Sequence, residues 1–197
     1  MSSVKNFRLY IDGKWVDSAS GETFPSDNPA KPKQILGRYQ KGNEEDVNRA
    51  VEAAEKALEK WRDVPAPKRG PILHRAAQPL RENKERFARE MTMEMGKVIA
   101  EARGDVQEAI DMTEYMAGEG RRLLGFTTPS ELTRKFCMTI RLPVGICGLI
   151  TPWNFPMAIP SWKIMTALIC GDTVVFKPSS DTPLVATRLV DVLEKAG

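Results

Sequence analysis

The chain has 197 residues, 42% of them hydrophobic and 28% charged, the balance of a folded globular protein rather than a disordered one. Its 29 basic and 26 acidic side chains leave a net charge of +3 with no basic block, which argues against nucleic acid or an anionic membrane as the main partner. No apolar run approaches the roughly 20 residues that span a bilayer, and the opening Met1-Ser-Ser-Val-Lys-Asn lacks the apolar core of a signal peptide. Cys137, Cys147 and Cys170 are an odd number without metal-ligand spacing. They read as reduced, small buried hydrophobes, so a cytoplasmic protein with no metal site is expected.

In chain order, residues 8–16 alternate apolar and polar around Asp12-Gly13, a strong hairpin signal, and Gln34–Tyr39 reads as a further short strand. A helix over 43–62 follows. Asn43 caps it, and Glu44, Glu45 and Asp46 occupy the first turn, where the helix dipole favours negative charge. Val47, Ala50, Val51, Ala54, Ala57, Leu58 and Trp61 make one apolar stripe on a 3.6-residue period. A second helical region over 67–82 contains Pro71 and Pro79. The latter removes a donor in mid-helix and predicts a kink or an early end. Helical patterns resume over 83–95 and over 99–124, the last stopped by Gly125 and Thr127-Thr-Pro. His74, the single histidine, has no partner that suggests a base and is expected at the surface or half-buried.

After Pro129 the character changes. Residues 134–142 alternate as a strand, 143–145 turn, and Ile146–Ile150 is a short apolar run. Helix over 156–169, buried strand over Thr173–Phe176 and helix over 182–196 complete the pattern. Strand, helix, strand, helix with short connections predicts a parallel sheet with crossover helices. The fold class is therefore α/β: an N-terminal hairpin and helices, then the start of a Rossmann-like parallel sheet.

Parallel sheets bind ligands at the C-terminal ends of their strands. Two such ends are visible, Ile150-Thr-Pro-Trp-Asn154 and Phe176-Lys-Pro-Ser-Ser180. From the residues alone they are either well-capped strand-to-helix turns or a binding site.

Taken together, Leu142-Pro-Val-Gly-Ile-Cys-Gly-Leu-Ile-Thr-Pro-Trp-Asn-Phe-Pro156, then Gly171-Asp-Thr-Val-Val-Phe-Lys-Pro-Ser179, then Thr182-Pro183, resemble the aldehyde dehydrogenase superfamily. The likeness runs back through Met95-Gly-Lys97 and the 43–62 helix to the N-terminal hairpin, and so covers essentially the whole chain. It implies NAD(P)-dependent oxidation of a small-molecule aldehyde to a carboxylic acid. In that chemistry a thiolate attacks the aldehyde, hydride leaves for the nicotinamide, and water hydrolyses the thioester. The resemblance makes Asn154 the oxyanion donor, a neutral amide that donates without a proton to lose. Asn154 could at the same time cap the helix that begins near Pro156. Lys177 resembles the lysine that hydrogen-bonds the adenosine ribose. Ile150, Thr151, Pro152, Trp153, Ser179 and Ser180 complete the candidate cofactor-binding set. Trp162 and Lys163 resemble a pair near the substrate tunnel, although an aromatic on an amphipathic helix is usually core packing.

One departure bears on cofactor choice. Many NAD-preferring members carry a glutamate three residues after the lysine, which accepts the ribose hydroxyls and repels a 2′-phosphate. Ser180 stands there in this chain, which predicts dual or NADP-leaning use, with Asp181 able to restore part of the bias. The resemblance further divides the chain into residues 1–130, the hairpin and helices of the cofactor domain, 131–143, a bridging and oligomerisation strand, and 144–197, the first βαβα of the cofactor sheet. It places the nucleophilic cysteine, the general-base glutamate and the pyrophosphate-facing glycine pair beyond Gly197. On that reading the chain is an N-terminal portion, inactive alone and poorly soluble without a partner, of an enzyme that is a homo-oligomer when complete. The alternatives are a non-catalytic family member serving as a partner-binding or regulatory module, and a small nucleotide-binding module that shares only a βαβα unit. The long helical first half weakens the last.

Overall fold

The computed structural model describes residues 4–197. The first three residues, part of the opening segment without signal-peptide character, lie outside the described residues.

Strand β1 (Asn6–Phe7) is followed by the hairpin of β2 (Leu9–Ile11) and β3 (Lys14–Val16). Asp12 and Gly13 both take positive φ, 52° and 69°, as the tight turn between twisted strands requires. Strands β4 (Thr23–Asn28) and β5 (Lys31–Gln40) are antiparallel, and β1 joins β5 in parallel to give the order β1-β5-β4. The short strand expected over 34–39 is thus the second half of a ten-residue strand. Its partner β4 contains Pro25 and an irregular register near Asp27, which hides the alternation.

Four helices follow: α1 (Glu44–Trp61), α2 (Ala66–Glu82), α3 (Lys84–Met95) and α4 (Ile99–Glu119). Asn43 and Asp46 form a reciprocal capping box at the start of α1. The apolar stripe of α1 is only partly covered. Ala54 is buried, yet Val47 and Val51 are exposed. Pro79 does not break α2, which runs on to Glu82. A proline so close to the C-terminus removes only one late hydrogen bond. Gly96, at φ 78°, ends α3 in a left-handed cap. α4 stops at Glu119, five residues before the expected end at Leu124. Gly120 is packed there so closely that an added Cβ would meet the Ala66 carbonyl oxygen at 2.5 Å.

Strands β6 (Thr127–Pro129) and β7 (Phe136–Met138) pair antiparallel. The strand expected over 134–142 therefore shrinks to three residues, and Thr127-Thr-Pro, read as a helix stop, supplies its partner. Arg134 at φ 62° lies on the connection. Cys137 is exposed on this hairpin, against the expectation of burial, while Cys147 and Cys170 are half-buried. His74 is exposed, as expected.

The chain then runs β8 (Ile146–Ile150), α5 (Ala158–Cys170), β9 (Thr173–Lys177) and α6 (Pro183–Ala196), with β8 and β9 parallel. α1 and α5 both pack against this pair of strands. Thr173 Oγ1 donates to the Ala54 carbonyl at 2.9 Å and Trp61 Nε1 to the Leu168 carbonyl at 3.0 Å. The main core lies between α2, α3, α4, α5 and α6, where Leu73, Leu80, Met91, Ile110, Met165 and Leu189 are almost completely buried. No helix among the described residues is long and apolar enough to cross a membrane, and none of their His, Cys, Asp and Glu side chains group as a metal site would.

Candidate functional site

Ile150 and Lys177 end the two parallel strands as register partners, so the turns that follow them lie side by side. The Thr151 amide donates to the Lys177 carbonyl at 3.3 Å and carries the contact one residue past the strands. Thr151 is buried, and its Oγ1 finds no hydrogen-bond partner among the described residues. Pro152, Trp153 and Asn154 are exposed. On the second turn Lys177 and Ser180 are exposed and Ser179 is half-buried. Among the described residues Lys177 Nζ donates only to its neighbour's carbonyl, that of Pro178, at 2.9 Å, and Ser179 Oγ accepts from the Asp181 amide at 3.2 Å. A cleft of about 340 Å³ is lined by Trp153 from the first turn and Ser180 and Asp181 from the second, together with Pro25, Ser26, Asp27, Pro29, Glu94 and Met95 from β4, the turn after it and α3.

The structure sets side by side the two turns that carry the eight residues, Ile150, Thr151, Pro152, Trp153 and Asn154 on one and Lys177, Ser179 and Ser180 on the other, with Ile150, Thr151 and Trp153 against residues of the second turn. Their chemistry fits a dinucleotide. Lys177 and Ser180 offer a cation and a hydroxyl for ribose or phosphate oxygens, and the exposed faces of Ile150 and Trp153 offer apolar surface for a ring. Trp162 and Lys163 lie on the open side of α5, with Lys163 Nζ 3.3 Å from the Ile150 carbonyl oxygen.

Asn154 does not cap α5. Its side chain makes no hydrogen bond to a described residue, and the helix begins at Ala158 with no side-chain cap of its own. The cap comes instead from Asp105 on α4, whose Oδ1 accepts from the Met157 and Ala158 amides at 3.3 and 2.8 Å. α6 is treated alike. It too lacks a cap of its own, and Glu94 on α3 accepts from the Leu184 and Val185 amides at 2.7 and 3.0 Å and from Ser26 Oγ at 3.0 Å. A carboxylate at a helix N-terminus is favoured by the dipole and satisfies orphan amides. Asp105 and Glu94 went unnoticed in the sequence because each sits on a helix face, far along the chain from the amides it receives.

Cys147 and Cys170 both lie away from the Asn154 turn. Cys147 lies near the start of β8, three residues before Ile150 and so roughly 10 Å back along the strand. Cys170 ends α5, a 13-residue helix and hence roughly 20 Å from the turn. Burial raises both thiols above their ordinary value, and the nearby Asp172 carboxylate raises them further, away from the thiolate.

A profile of the aldehyde dehydrogenase family matches residues 15–197. The α-ketoglutaric semialdehyde dehydrogenase of Bacillus subtilis (strain 168) is 40% identical over 188 residues, which are 95% of this chain and 38% of the relative. Among solved structures, an NADP-dependent enzyme of E. coli superposes with a TM-score of 0.93 at 38% identity, over 97% of this chain and 40% of that one. An NAD-dependent aldehyde dehydrogenase from Sinorhizobium meliloti gives 0.94 at 34% identity, over 98% and 39%. The 197 residues thus span about two fifths of these relatives, and the mixed α/β fold corresponds to their N-terminal part. The chain belongs to the aldehyde dehydrogenase family.

Proposed function

We propose that these residues form the cofactor-side and oxyanion half of an NAD(P)-dependent aldehyde dehydrogenase site, which oxidises an aldehyde to a carboxylic acid. The observation that carries this reading is the Ile150–Lys177 register pair. It sets the Asn154 turn beside the Lys177 turn, where the Asn154 side chain is exposed and makes no hydrogen bond to a described residue. In the reaction a thiolate adds to the aldehyde carbon, and the carbonyl oxygen gains negative charge. On this reading the Asn154 side-chain N–H groups receive that charge, because a neutral amide donates to a developing oxyanion without a proton to lose.

Lys177, Ser179 and Ser180 hold the adenosine ribose, and Ile150, Thr151, Pro152 and Trp153 line the channel for the rest of the dinucleotide. When bound, the nicotinamide supplies the acceptor for hydride. Ser180 places no negative charge by the ribose, which supports NADP as well as NAD. The neighbouring solved structures include one NADP-dependent and one NAD-dependent enzyme. The B. subtilis relative acts on a semialdehyde, which favours a small aldehyde bearing a carboxylate as substrate.

The division into residues 1–130, 131–143 and 144–197 follows the same reading, with the middle segment as a bridge to another subunit. Support comes from the hairpin itself, where Phe126, Leu132, Phe136, Met138, Ile140 and Leu142 are all exposed. A homo-oligomer would cover them. The free thiols suit the cytoplasm, and the small, dispersed net charge gives neither nucleic acid nor membrane a docking surface.

Cys147 and Cys170 lie away from the Asn154 turn with their thiolates disfavoured by burial, and Cys137 stands on the β6–β7 hairpin, so the 197 residues by themselves are expected to be catalytically silent. The test is dehydrogenase turnover with a panel of small aldehydes and both cofactors, on this chain and on any longer product of the same reading frame. Turnover only in a longer product supports the proposal. A longer product that binds neither cofactor would overturn it in favour of a non-catalytic, partner-binding role.

A further inference from the structure

The Asn154 turn is gripped from two sides by one ion pair. Lys97, in the connection between α3 and α4, places its Nζ 2.9 Å from Asp105 Oδ2, and the side chains are 7% and 0% exposed. The same ammonium lies 3.9 Å from the centroid of the Phe155 ring, the residue next to Asn154. The other carboxylate oxygen, Asp105 Oδ1, holds the amides of Met157 and Ala158. One side of the turn is therefore held through a cation over an aromatic face and the other through a capped helix N-terminus, with a single buried pair linking the two. Burying an ion pair is a poor way to gain stability, since desolvation offsets most of the attraction. Fixing the geometry of a turn is what such a pair does well, because both ions are locked by their additional partners.

We propose that Lys97 and Asp105 are positioning residues that hold the Trp153–Phe155 turn so that the Asn154 amide faces the reacting carbonyl. The proposal rests on the reading of Asn154 as oxyanion donor, and its primary test is independent of turnover. Hydrogen–deuterium exchange of the 197-residue chain would be followed over 152–158, with α2 and α6 as internal controls. Lys97→Met removes the cation, and Phe155→Leu removes the ring at an exposed position where the fold has little to lose. Both should speed exchange in 152–158 roughly tenfold while α2 and α6 stay within twofold, and Lys97→Arg should restore slow exchange. Unchanged exchange in 152–158 in both variants overturns the proposal. Loosening that spreads equally to α2 and α6 also overturns it, because that marks a merely structural pair.

In a longer product that turns over, Lys97→Met should lower kcat about tenfold at unchanged KM. Combined with Asn154→Ala it should cost no more than Asn154→Ala alone, since both changes remove one function. If instead Asn154→Ala leaves turnover intact while the exchange results hold, the oxyanion reading fails and the positioning of the turn stands.

Discussion

The Glu94 carboxylate stands over the N-terminus of α6, with Oε1 2.7 Å from the Leu184 amide nitrogen. Burial pushes its carboxyl up to about 7 from an ordinary 4.5, against the pull of the Leu184, Val185 and Ser26 donors. Glu90 adds to the rise. A carboxyl raised on folding binds its proton more tightly in the native chain than in the unfolded one. Its contribution to stability is full below the unfolded value near 4.5, and it is lost as pH climbs through about 7. The scale is roughly 3 kcal/mol for a shift of this size. Urea midpoints should therefore fall between about pH 5 and pH 8 in the parent and fall less in Glu94→Gln. Equal slopes in the two proteins would refute this account of Glu94.

Asn154→Ala should leave the fold intact, because the side chain bonds to no described residue. In a product with turnover it should lower kcat roughly 100- to 1000-fold, the loss typical of one oxyanion donor. Steady-state kinetics beside a circular dichroism melt checks both halves of the statement.

Ser180→Glu adds a negative charge three residues after Lys177. NADP should lose affinity relative to NAD by about tenfold, or about 1.4 kcal/mol, through repulsion of the 2′-phosphate. Competitive titration of the two cofactors reads the ratio, and an unchanged ratio would remove Ser180 from the specificity argument.

Gly70 allows α2 and α4 to meet backbone to backbone, and a Cβ there would lie 2.5 Å from the Ala117 carbonyl oxygen. A backbone atom cannot step aside as a flexible side chain can. Gly70→Ala should therefore destabilise by about 1–3 kcal/mol despite the better helix propensity of alanine. Thermal melts of the two proteins decide it.

The site turns were legible in the sequence because each is written in contiguous residues: a strand end, a proline and polar side chains before a helix. The N-terminal hairpin was equally plain from Asp12-Gly13, and the parallel βαβα from its alternating patterns. The less legible features are those set by distant parts of the chain. Asp105 receives amides 52 and 53 residues away and Glu94 amides 90 and 91 residues away, so nothing local marks either as a cap. The exposure of Val47 and Val51 depends on which distant elements pack against α1, which the helix's own periodicity does not encode. Cys137 was misjudged for a related reason: its three-residue strand pairs only with β6, and every residue of both strands is exposed.

The central claim is that the turns after β8 and β9 form one cofactor-binding face, and Trp153 offers a direct reporter in the shared cleft. Titrating NADP and NAD while following tryptophan fluorescence should give saturable quenching that Trp153→Phe abolishes and Lys177→Met weakens. Absence of saturable quenching, or quenching that survives unchanged in both variants, would contradict the claim.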